Sequence, residues 1–253
     1  MYLYMQGQPN PLPAGVSTIL LDDGWGYAKP DGAVNDTGIR AAATRAKNEG
    51  KLYVLDFENP QHFDLGNLEH LGRIQRVCQI ARATGAQVGV YDLPRMAYWR
   101  CQFPYSIGPG YDPSDPSDRH IYPQRRINEA LRQALSGAIT HLCPSLYTFY
   151  EQGDGWGTHF GWAMAECARY ANGTSKKHIA PFLWPHYHES SPVYAGVYPT
   201  DPMKLVELPG DYWEFQCRLA QWFGRPVVWG KTGRPFDAAS RWWGVCKRVW
   251  GIA

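Results

Sequence analysis

Two acidic residues, Asp56 and Glu58, follow a short apolar run inside the stretch Lys51–Pro60. The run, Leu52–Leu55, is apolar, aromatic and β-branched, which indicates a buried strand that Asn59-Pro60 then ends. Residues two apart in a strand share a face, with Cα atoms roughly 6–7 Å apart. Two carboxyl groups this close cannot both ionise easily away from water, so the pKa of one should rise. A raised acid beside an ionised carboxylate suits the hydrolysis of a glycosidic bond. Alternatively, the two acids are solvated or salt-bridged at a strand end.

The composition indicates an ordered protein with a sizeable core. Of the 253 residues, 44% are hydrophobic and 19% are charged, which argues against wholesale disorder. A formal net charge of +2 gives no reason to expect nucleic acid or an anionic membrane surface as a partner. No stretch approaches the roughly 20 apolar residues of a membrane span. The 11 Trp and 16 Tyr residues exceed what a core needs, so some could be stacking platforms for sugar rings.

The amino-terminal segment and the cysteines bear on location and on metals. Residues 1–15 lack the basic start and apolar centre of a signal peptide, so we expect a cytoplasmic protein or release by another route. The six cysteines form no CxxC pair, so zinc is not indicated and no cofactor is expected. Four of them lie among apolar residues of predicted helices, which favours a reduced protein without disulfides. These four are Cys78, Cys167, Cys217 and Cys246.

Predicted strands and helices alternate along the chain, without repeats or low-complexity linkers, which indicates one α/β domain over residues 1–253. The seven predicted strands are Tyr2–Met5, Val16–Leu21, Leu52–Leu55, Gln87–Tyr91, Ile139–Leu146, Ile179–Trp184 and Pro226–Trp229. Apolar residues at helical spacing predict helices over Thr37–Asn48, Leu68–Ala81, Ile127–Leu135, Phe160–Ala168 and Tyr212–Phe223, and a last one carrying Trp242–Val249. Gln152–Gly157 is predicted to be a Gly-rich loop. The long aperiodic segment Pro94–Pro123 is predicted to border a cleft and to help select the substrate.

Polar and aromatic residues fall at or just after the carboxyl ends of the predicted strands. They are Asp22, Glu58, Asp92, Tyr147, Tyr187 and Trp229. A (β/α) barrel gathers those ends on one face, where its active site is built. An open doubly wound sheet normally carries a Gly-rich phosphate turn, and the sequence has no such fingerprint. The pattern therefore predicts a TIM-like (β/α) barrel.

Four short motifs, in this order, resemble the hyaluronidase family of glycoside hydrolases and together span most of the chain. They are Val54-Leu-Asp-Phe-Glu58, Gly89-Val-Tyr-Asp-Leu-Pro94, Pro144-Ser-Leu-Tyr147 and Val227-Val-Trp-Gly230. The resemblance implies a distorted barrel of seven strands, in agreement with the independent strand count. It also implies cleavage of a carbohydrate polymer next to an N-acetylhexosamine, with the acetamido group of the substrate as the nucleophile.

The resemblance also implies roles for individual residues. Glu58 would be the general acid and base, and Asp56 would orient and polarise the acetamido group. Tyr91 and Tyr147 would hydrogen-bond that group or its neighbours, and Trp229 would form the floor of the sugar subsite. Two further strand-end residues, Asp92 and Tyr187, are candidates for contacting the substrate. The chain is shorter than animal hyaluronidases and lacks an evident secretion signal and their disulfides. A bacterial or phage relative that acts on another amino-sugar polymer is therefore favoured over hyaluronan cleavage.

Other interpretations of these residues stay open at this stage. His186, His188 and Glu189 suggest a metal, but the ligand set is incomplete, so a polar loop lining the cleft is preferred. Asp22, Asp23 and Asp92 could be extra cleft carboxylates. If Asp92 faces Glu58, an ordinary retaining or inverting two-carboxylate mechanism becomes available. Two other functions remain: a barrel that binds carbohydrate without cleaving it, and a lysozyme-like hydrolase with similar paired acids.

Overall fold

The computed structural model describes residues 1–5, 8–24, 26–95, 121–151, 153–171, 178–230 and 235–253, so most of Pro94–Pro123 lies outside it. The strands in this part are β1 (Tyr2–Tyr4), β2 (Ile19–Asp22), β3 (Leu52–Leu55), β4 (Glu58–Asn59), β5 (Phe63–Asp64), β6 (Val88–Tyr91), β7 (His141–Cys143), β8 (His178–Ile179), β9 (Phe182–Leu183) and β10 (Val227–Trp229). The α-helices are α1 (Asp36–Asn48), α2 (Leu71–Ala83), α3 (Ile121–Leu135), α4 (Gly153–Ala171), α5 (Gly210–Phe223) and α6 (Arg241–Trp250).

The parallel strands close into a distorted barrel in chain order. One sheet runs β2-β3-β6-β7-β8 and another β1-β10-β9. Two joins connect them: Leu3 N–H donates to Ser17 O over 2.8 Å, and Leu146 N–H donates to Phe182 O over 2.9 Å. Segments β8 and β9 are separated by Ala180 and Pro181 and act as one strand, so the barrel has seven strands among the described residues. The predicted fold class is confirmed.

The barrel is distorted partly because its first crossover is not helical. Between β1 and β2, the described residues 8–18 contain no helix. Elsewhere helices cover the strands, and α1 shows why they form. Asn35 caps α1 by accepting a hydrogen bond from Gly38 N–H over 3.1 Å. Its buried residues Ile39, Ala43 and Ala46 recur at helical spacing, and the helix contacts β3 and α2.

Strand residues alternate between the barrel interior and the helix layer. Leu52 and Val54 of β3 pack inside the barrel, whereas Tyr53 and Leu55 pack against the helices. The strand register places inward residues side by side around the ring, as in the pairing of Val54 with Gly89. The interior cluster consists of Tyr2, Ile19, Leu52, Val54, Tyr91, Cys143, Tyr147, Phe149, Ala180, Phe182, Trp184, Leu205 and Val227. This alternation fixes which residues reach the cleft.

The structure differs from the predicted elements at two places. Helix α4 begins at Gly153, so the predicted Gly-rich loop is wrong over its described residues. Burial overrides the low helix propensity of glycine here, because Trp156 is fully buried and its indole N–H donates to Leu146 O over 2.9 Å. In addition, β3 spans Leu52–Leu55 as predicted, but Glu58 lies in the separate antiparallel pair β4–β5 rather than at the end of that strand.

Cysteines and helix hydropathy are the remaining general features. In the part of the chain that the structure describes, five cysteines are free and buried: Cys78, Cys143, Cys167, Cys217 and Cys246. Burial raises the pKa of the Cys78 and Cys143 thiols, which is typical of packing rather than reactive cysteines. None of the described helices combines the length and apolar character needed to cross a bilayer.

Gly89 provides a test of the tight barrel interior. An added Cβ would lie 2.7 Å from Cys143 Sγ and 3.4 Å from His141 Cβ on the neighbouring strand. We expect Gly89→Ala to lower the free energy of unfolding by about 1–3 kcal/mol, because overpacking displaces the neighbours. Urea unfolding of wild type and variant measures this change in the free energy of unfolding. The matched control is Gly161→Ala in α4, where nothing lies within 4 Å of the added Cβ. That variant should gain about 0.5–1 kcal/mol. Wild-type stability of Gly89→Ala would contradict such close packing around Gly89.

Candidate active site

A cavity of about 320 Å³ opens at the carboxyl ends of the barrel strands. Acids and aromatic rings make up most of its wall, which consists of Leu21, Asp56, Glu58, Tyr91, Tyr147, Phe182, Trp184, His188, Glu189 and Trp229. Almost all of these residues continue the inward alternation of their strand: Val54 is followed two and four residues later by Asp56 and Glu58. The wall is therefore a direct consequence of strand geometry.

Asp56 and Glu58 are held by contacts of the segment that follows β3. The backbone N–H of Asp56 donates to Asp22 O over 2.9 Å, and the Tyr27 hydroxyl donates to the carbonyl oxygen of Asp56. Phe57, between the two acids, is almost fully buried in the opposite direction. Its ring lies 5.0 Å from that of Tyr27 and 6.3 Å from that of Phe63. The prediction that Phe57 points to a covering layer while both acids face the cavity is confirmed.

Desolvation and neighbouring charges perturb both carboxyl groups. Burial, followed by the nearby charges of Glu58 and Asp23, raises the pKa of Asp56 to about 8. Partial desolvation at the cavity wall also raises the pKa of Glu58; Arg95 opposes that rise and Asp64 adds to it. Asp56 is half-buried and its Oδ1 has no hydrogen-bond partner among the described residues, whereas Glu58 is exposed at the cavity mouth. A pKa of about 8 leaves Asp56 largely protonated near neutral pH.

The aromatic residues predicted for the site line the cavity together with others that were missed. Tyr147 stacks on Trp229 at 5.5 Å between ring centroids and meets Trp184 edge-on at 5.3 Å. The Tyr91 hydroxyl donates to Ser145 Oγ over 3.2 Å. Phe182 and Trp184 were not singled out from the sequence, although they occupy inward positions of a predicted strand. The indole N–H groups of Trp184 and Trp229 are buried without a hydrogen-bond partner in the described part of the chain.

Two predicted substrate contacts, Asp92 and Tyr187, are not part of the cavity wall. Asp92 follows β6 in a left-handed backbone conformation, with φ of 54°, and its Oδ2 lies 4.0 Å from Arg95 Nε. Burial raises the pKa of Asp92, and the charges of Glu58 and Asp56 add to the rise. Tyr187 is buried in the cluster that faces the helices. Both residues have outward positions in the alternation, so their contact with the substrate stays a prediction.

The other acidic and histidine candidates have structural surroundings. Asp22 is buried; its Oδ2 accepts a hydrogen bond from the Tyr53 hydroxyl over 2.6 Å, and its Oδ1 accepts one from Gly26 N–H over 2.9 Å. These bonds hold the turn after β2, so Asp22 does not line the cavity. His186 is fully buried, whereas His188 lines the cavity and stacks on Tyr147 at 5.8 Å. Among the described residues, no group of three or more His, Cys, Asp or Glu side chains could hold a metal ion.

Comparison with known proteins relates this geometry to a fold. No protein-family model matches the sequence, and no curated protein matches it significantly. The structure is similar to bee venom hyaluronidase crystallised with a hyaluronic acid tetramer: TM-score 0.52, 18% identity, 84% of this chain and 78% of that chain covered. At this identity, the similarity shows the fold alone.

Two other solved structures are similar at lower TM-scores. One is a GH128 endo-β-1,3-glucanase from Amycolatopsis mediterranei: TM-score 0.48, 11% identity, 90% of this chain and 78% of that chain covered. The other is a chitinase from Rhizomucor miehei: TM-score 0.39, 11% identity, 98% and 99% covered. Similarity at these scores does not assign a fold.

The raised pKa of Asp56 predicts a dependence of stability on pH. A carboxyl with an ordinary pKa near 4 when unfolded and about 8 when folded stabilises the fold below pH 4. That contribution is lost as the pH rises through 8. The Asp56→Asn variant has no charge at this position at any pH. Its free energy of unfolding, relative to that of wild type, should therefore be higher at pH 8 than at pH 4. We expect the difference to change by up to about 5 kcal/mol, because the shift spans about four units and each unit is worth about 1.4 kcal/mol.

Urea unfolding at both pH values measures the Asp56 effect. Glu69→Gln, which replaces an exposed carboxylate outside the cavity, should leave the pH dependence of stability unchanged. If Asp56→Asn and wild type had parallel pH profiles, burial would not perturb the Asp56 carboxyl.

Proposed function

We propose that the protein is a glycoside hydrolase that cleaves a polysaccharide or oligosaccharide containing N-acetylhexosamine, with a single barrel domain as its catalytic unit. The observation that carries the proposal is the Asp56–Glu58 pair, with raised pKa values, on the wall of an aromatic cavity. A carboxylic acid must be protonated near neutral pH to protonate a leaving oxygen, and burial beside a second carboxyl provides this.

The uncharged part of the cavity supports a carbohydrate as the ligand. Sugar rings present apolar C–H faces, which pack on aromatic rings such as those of Tyr147 and Trp229. They also present hydroxyl and amide groups around their edges. The indole N–H groups of Trp184 and Trp229 and Oδ1 of Asp56 are buried without partners in the described part of the chain. Since an unpaired buried polar group is costly, two donors and one acceptor on the same wall favour a polar ligand.

The proposed reaction is a retaining, substrate-assisted hydrolysis. In the first step, Glu58 donates its proton to the glycosidic oxygen, and the bond from that oxygen to the anomeric carbon breaks. The acetamido carbonyl oxygen of the substrate attacks the same carbon and forms an oxazolinium ring. In the second step, the Glu58 carboxylate takes a proton from water, whose oxygen attacks the anomeric carbon and reopens the ring. Two inversions at one carbon give net retention.

Asp56 has the position to support the charge of that intermediate. It is buried deeper than Glu58 and has an unpaired oxygen, so it can accept a hydrogen bond from the acetamido N–H. A cation that forms beside Asp56 lowers its pKa, because it favours the charged form of the carboxyl. Glu58 would then hold the proton at the start of the transfer, and Asp56 would carry the negative charge beside the developing cation. This division of roles is electrostatic stabilisation of the transition state.

The two-carboxylate alternative has less support. It requires a second carboxylate next to the anomeric carbon, and Asp92 was the candidate. Asp92 lies off the cavity wall, and its raised pKa favours the uncharged form, which is a poor nucleophile. A barrel that binds carbohydrate without cleaving it would need the aromatic wall but not the acidic pair.

Substitution of Glu58 tests the proposed activity. Glu58→Gln keeps the shape and removes the acidic proton that the carboxyl can transfer, so we expect turnover to fall by about 10²–10⁴-fold. Sugar binding should stay within a few-fold of wild type. New reducing ends from hyaluronan, chondroitin, chitin oligomers, peptidoglycan and bacterial capsules measure the activity. Glu69→Gln is the matched control and should be fully active. Near-normal turnover in folded Glu58→Gln would remove Glu58 from the mechanism, and a wild type inactive on every glycan would favour the binding function.

Inhibition separates the assisted mechanism from double displacement. A thiazoline analogue of the oxazolinium ring should inhibit the enzyme, and Asp56→Asn should weaken that inhibition by roughly 10-fold or more, the loss of one charge-assisted hydrogen bond. Inhibition constants for wild type, Asp56→Asn and Asp92→Asn measure this, and Asp92→Asn should retain the wild-type constant. Mass spectrometry after incubation with a fluorosugar provides the opposing test. A glycosyl adduct on Asp92 or any other carboxylate would rule out the assisted mechanism.

A further inference from the structure

Glu58 lies on a two-residue strand whose partner carries another acid. In the antiparallel pair, Glu58 of β4 is directly opposite Asp64 of β5. Residues that pair directly across antiparallel strands have side chains on the same face, and like charges in this position destabilise the pairing. The charge of Asp64 also raises the pKa of Glu58. A nearby positive charge would therefore stabilise the β4–β5 pair.

Arg95, three residues after Asp92, supplies that charge. Its Nη1 lies 2.6 Å from Asp64 Oδ1, which also accepts a hydrogen bond from Gly66 N–H over 2.7 Å. The guanidinium approaches the backbone so closely that a Cβ at position 66 would lie 2.6 Å from Nη1. Gly66 thus leaves the space in which the Arg95–Asp64 ion pair forms.

The backbone of Arg95 is held from the helix layer. Its N–H donates to Asn128 Oδ1 over 2.9 Å, and Asn128 Nδ2 donates to its carbonyl oxygen over 2.8 Å. Asn128 lies on α3 and is buried, and its own carbonyl oxygen accepts a hydrogen bond from the Tyr170 hydroxyl over 2.9 Å. A long side chain held at its base in this way loses less conformational entropy when its guanidinium pairs with Asp64.

The electrostatic surroundings of Glu58 include groups from several elements. Asp56 follows β3, Asp64 is on β5, and Asp92 and Arg95 follow β6, while the phenols of Tyr27 and Tyr147 face the same acids. His188 and Glu189 line the cavity wall as well. Within the described residues, Arg95 is the guanidinium that lowers the pKa of Glu58, Asp64 and Asp92 alike.

We propose that Arg95 is a positioning residue for Glu58: by pairing with Asp64 it holds the β4–β5 strand pair, and its charge balances the surrounding carboxyl groups. The inference rests on the proposed function in one respect, the role of Glu58 as acid and base. Arg95 does not line the cavity and would act through Glu58 rather than on the substrate.

Opposite substitutions distinguish this role from a structural one. Arg95→Gln removes the positive charge and should raise the pKa of Glu58 by about one unit, the lower end of the effect of a close opposite charge. Asp64→Asn removes the repelling carboxylate and should lower the pKa of Glu58. Arg95→Lys keeps the positive charge, so it should raise the pKa of Glu58 less than Arg95→Gln does. A general loosening of the fold would move the pKa in the same direction in all three variants.

Carbon-13 NMR titration of labelled Glu carboxyls, with Glu58→Gln to assign the resonance, measures these shifts without any substrate. Arg76→Gln is the matched control, because Arg76 pairs with Asp36 over 2.8 Å between two helices outside the cavity. It should not change the Glu58 titration. An unchanged Glu58 pKa in folded Arg95→Gln, or a shift of equal sign in Asp64→Asn, would overturn the proposal.

The pH profile of kcat/KM supplies the catalytic readout. The alkaline limb that reports protonated Glu58 should move upward in Arg95→Gln by the shift seen in the titration. At the optimum, kcat should fall by up to about 100-fold, because a displaced acid loses its alignment with the leaving oxygen. KM should change little. Should Glu58→Gln prove fully active, the proposed function fails, while the substrate-free titration still decides whether Arg95 controls Glu58.

Discussion

Each strand residue of a parallel barrel must point either into the barrel or toward the helices, and the whole site depends on this constraint. Leu52 and Val54 are inward, so Asp56 and Glu58 continue on the inward side once the strand ends. The same alternation places Phe182, Trp184 and His188 on the inward side. The parallel register aligns these series around the ring, so their last members meet at one end. If β3 shifted its register by one residue, Phe57 would point into the cavity and both acids would point toward the helices.

Placing two carboxyls on that wall has an energetic cost that neighbouring contacts offset. The raised pKa of Asp56 means that its charged form is unfavourable where it lies. Phe57 sits between the acids and is buried with Tyr27 and Phe63, and burying one such ring contributes about 1.5–3 kcal/mol. Because Phe57 is in the same short segment, its anchorage opposes any rotation that would return the Asp56 carboxyl to water. The aromatic cluster behind the segment thus stabilises an arrangement that the acids alone would not adopt.

Much of the fold was predictable from sequence because local patterns and tertiary packing agree. Short β-branched runs gave seven strands that match the described barrel closely, and apolar spacing located the helices. The site was predictable where the motif also showed which residues point inward. Val54 is inward, so Asp56, two residues later, is inward as well. Strand-end position alone says less about the cavity wall: Asp92 and Tyr187 have outward positions, and the inward Trp184 was not singled out. The prediction of a Gly-rich loop was wrong over Gly153–Gly157 for another reason: the burial of Trp156 outweighs the weak helix propensity of glycine. The Arg95–Asp64 pair is a long-range contact without a local signal.

The depth of the two acids is the strongest argument for assigning them different roles. A general acid must exchange its proton with water between turnovers, and exposed Glu58 at the mouth can do so. A group that stabilises a transient cation acts best where the dielectric is low, and half-buried Asp56 lies there. Exchanging the roles would place the proton donor away from solvent and the stabilising charge where water screens it. Arg95 lowers the pKa of Glu58 and is not among the charges that perturb Asp56, so without substrate it favours the proton on Asp56. A cation that forms beside Asp56 reverses that preference, because it favours the charged form of Asp56. The two carboxyls therefore differ in burial and in the charges around them, although their types and spacing alone would make them equivalent.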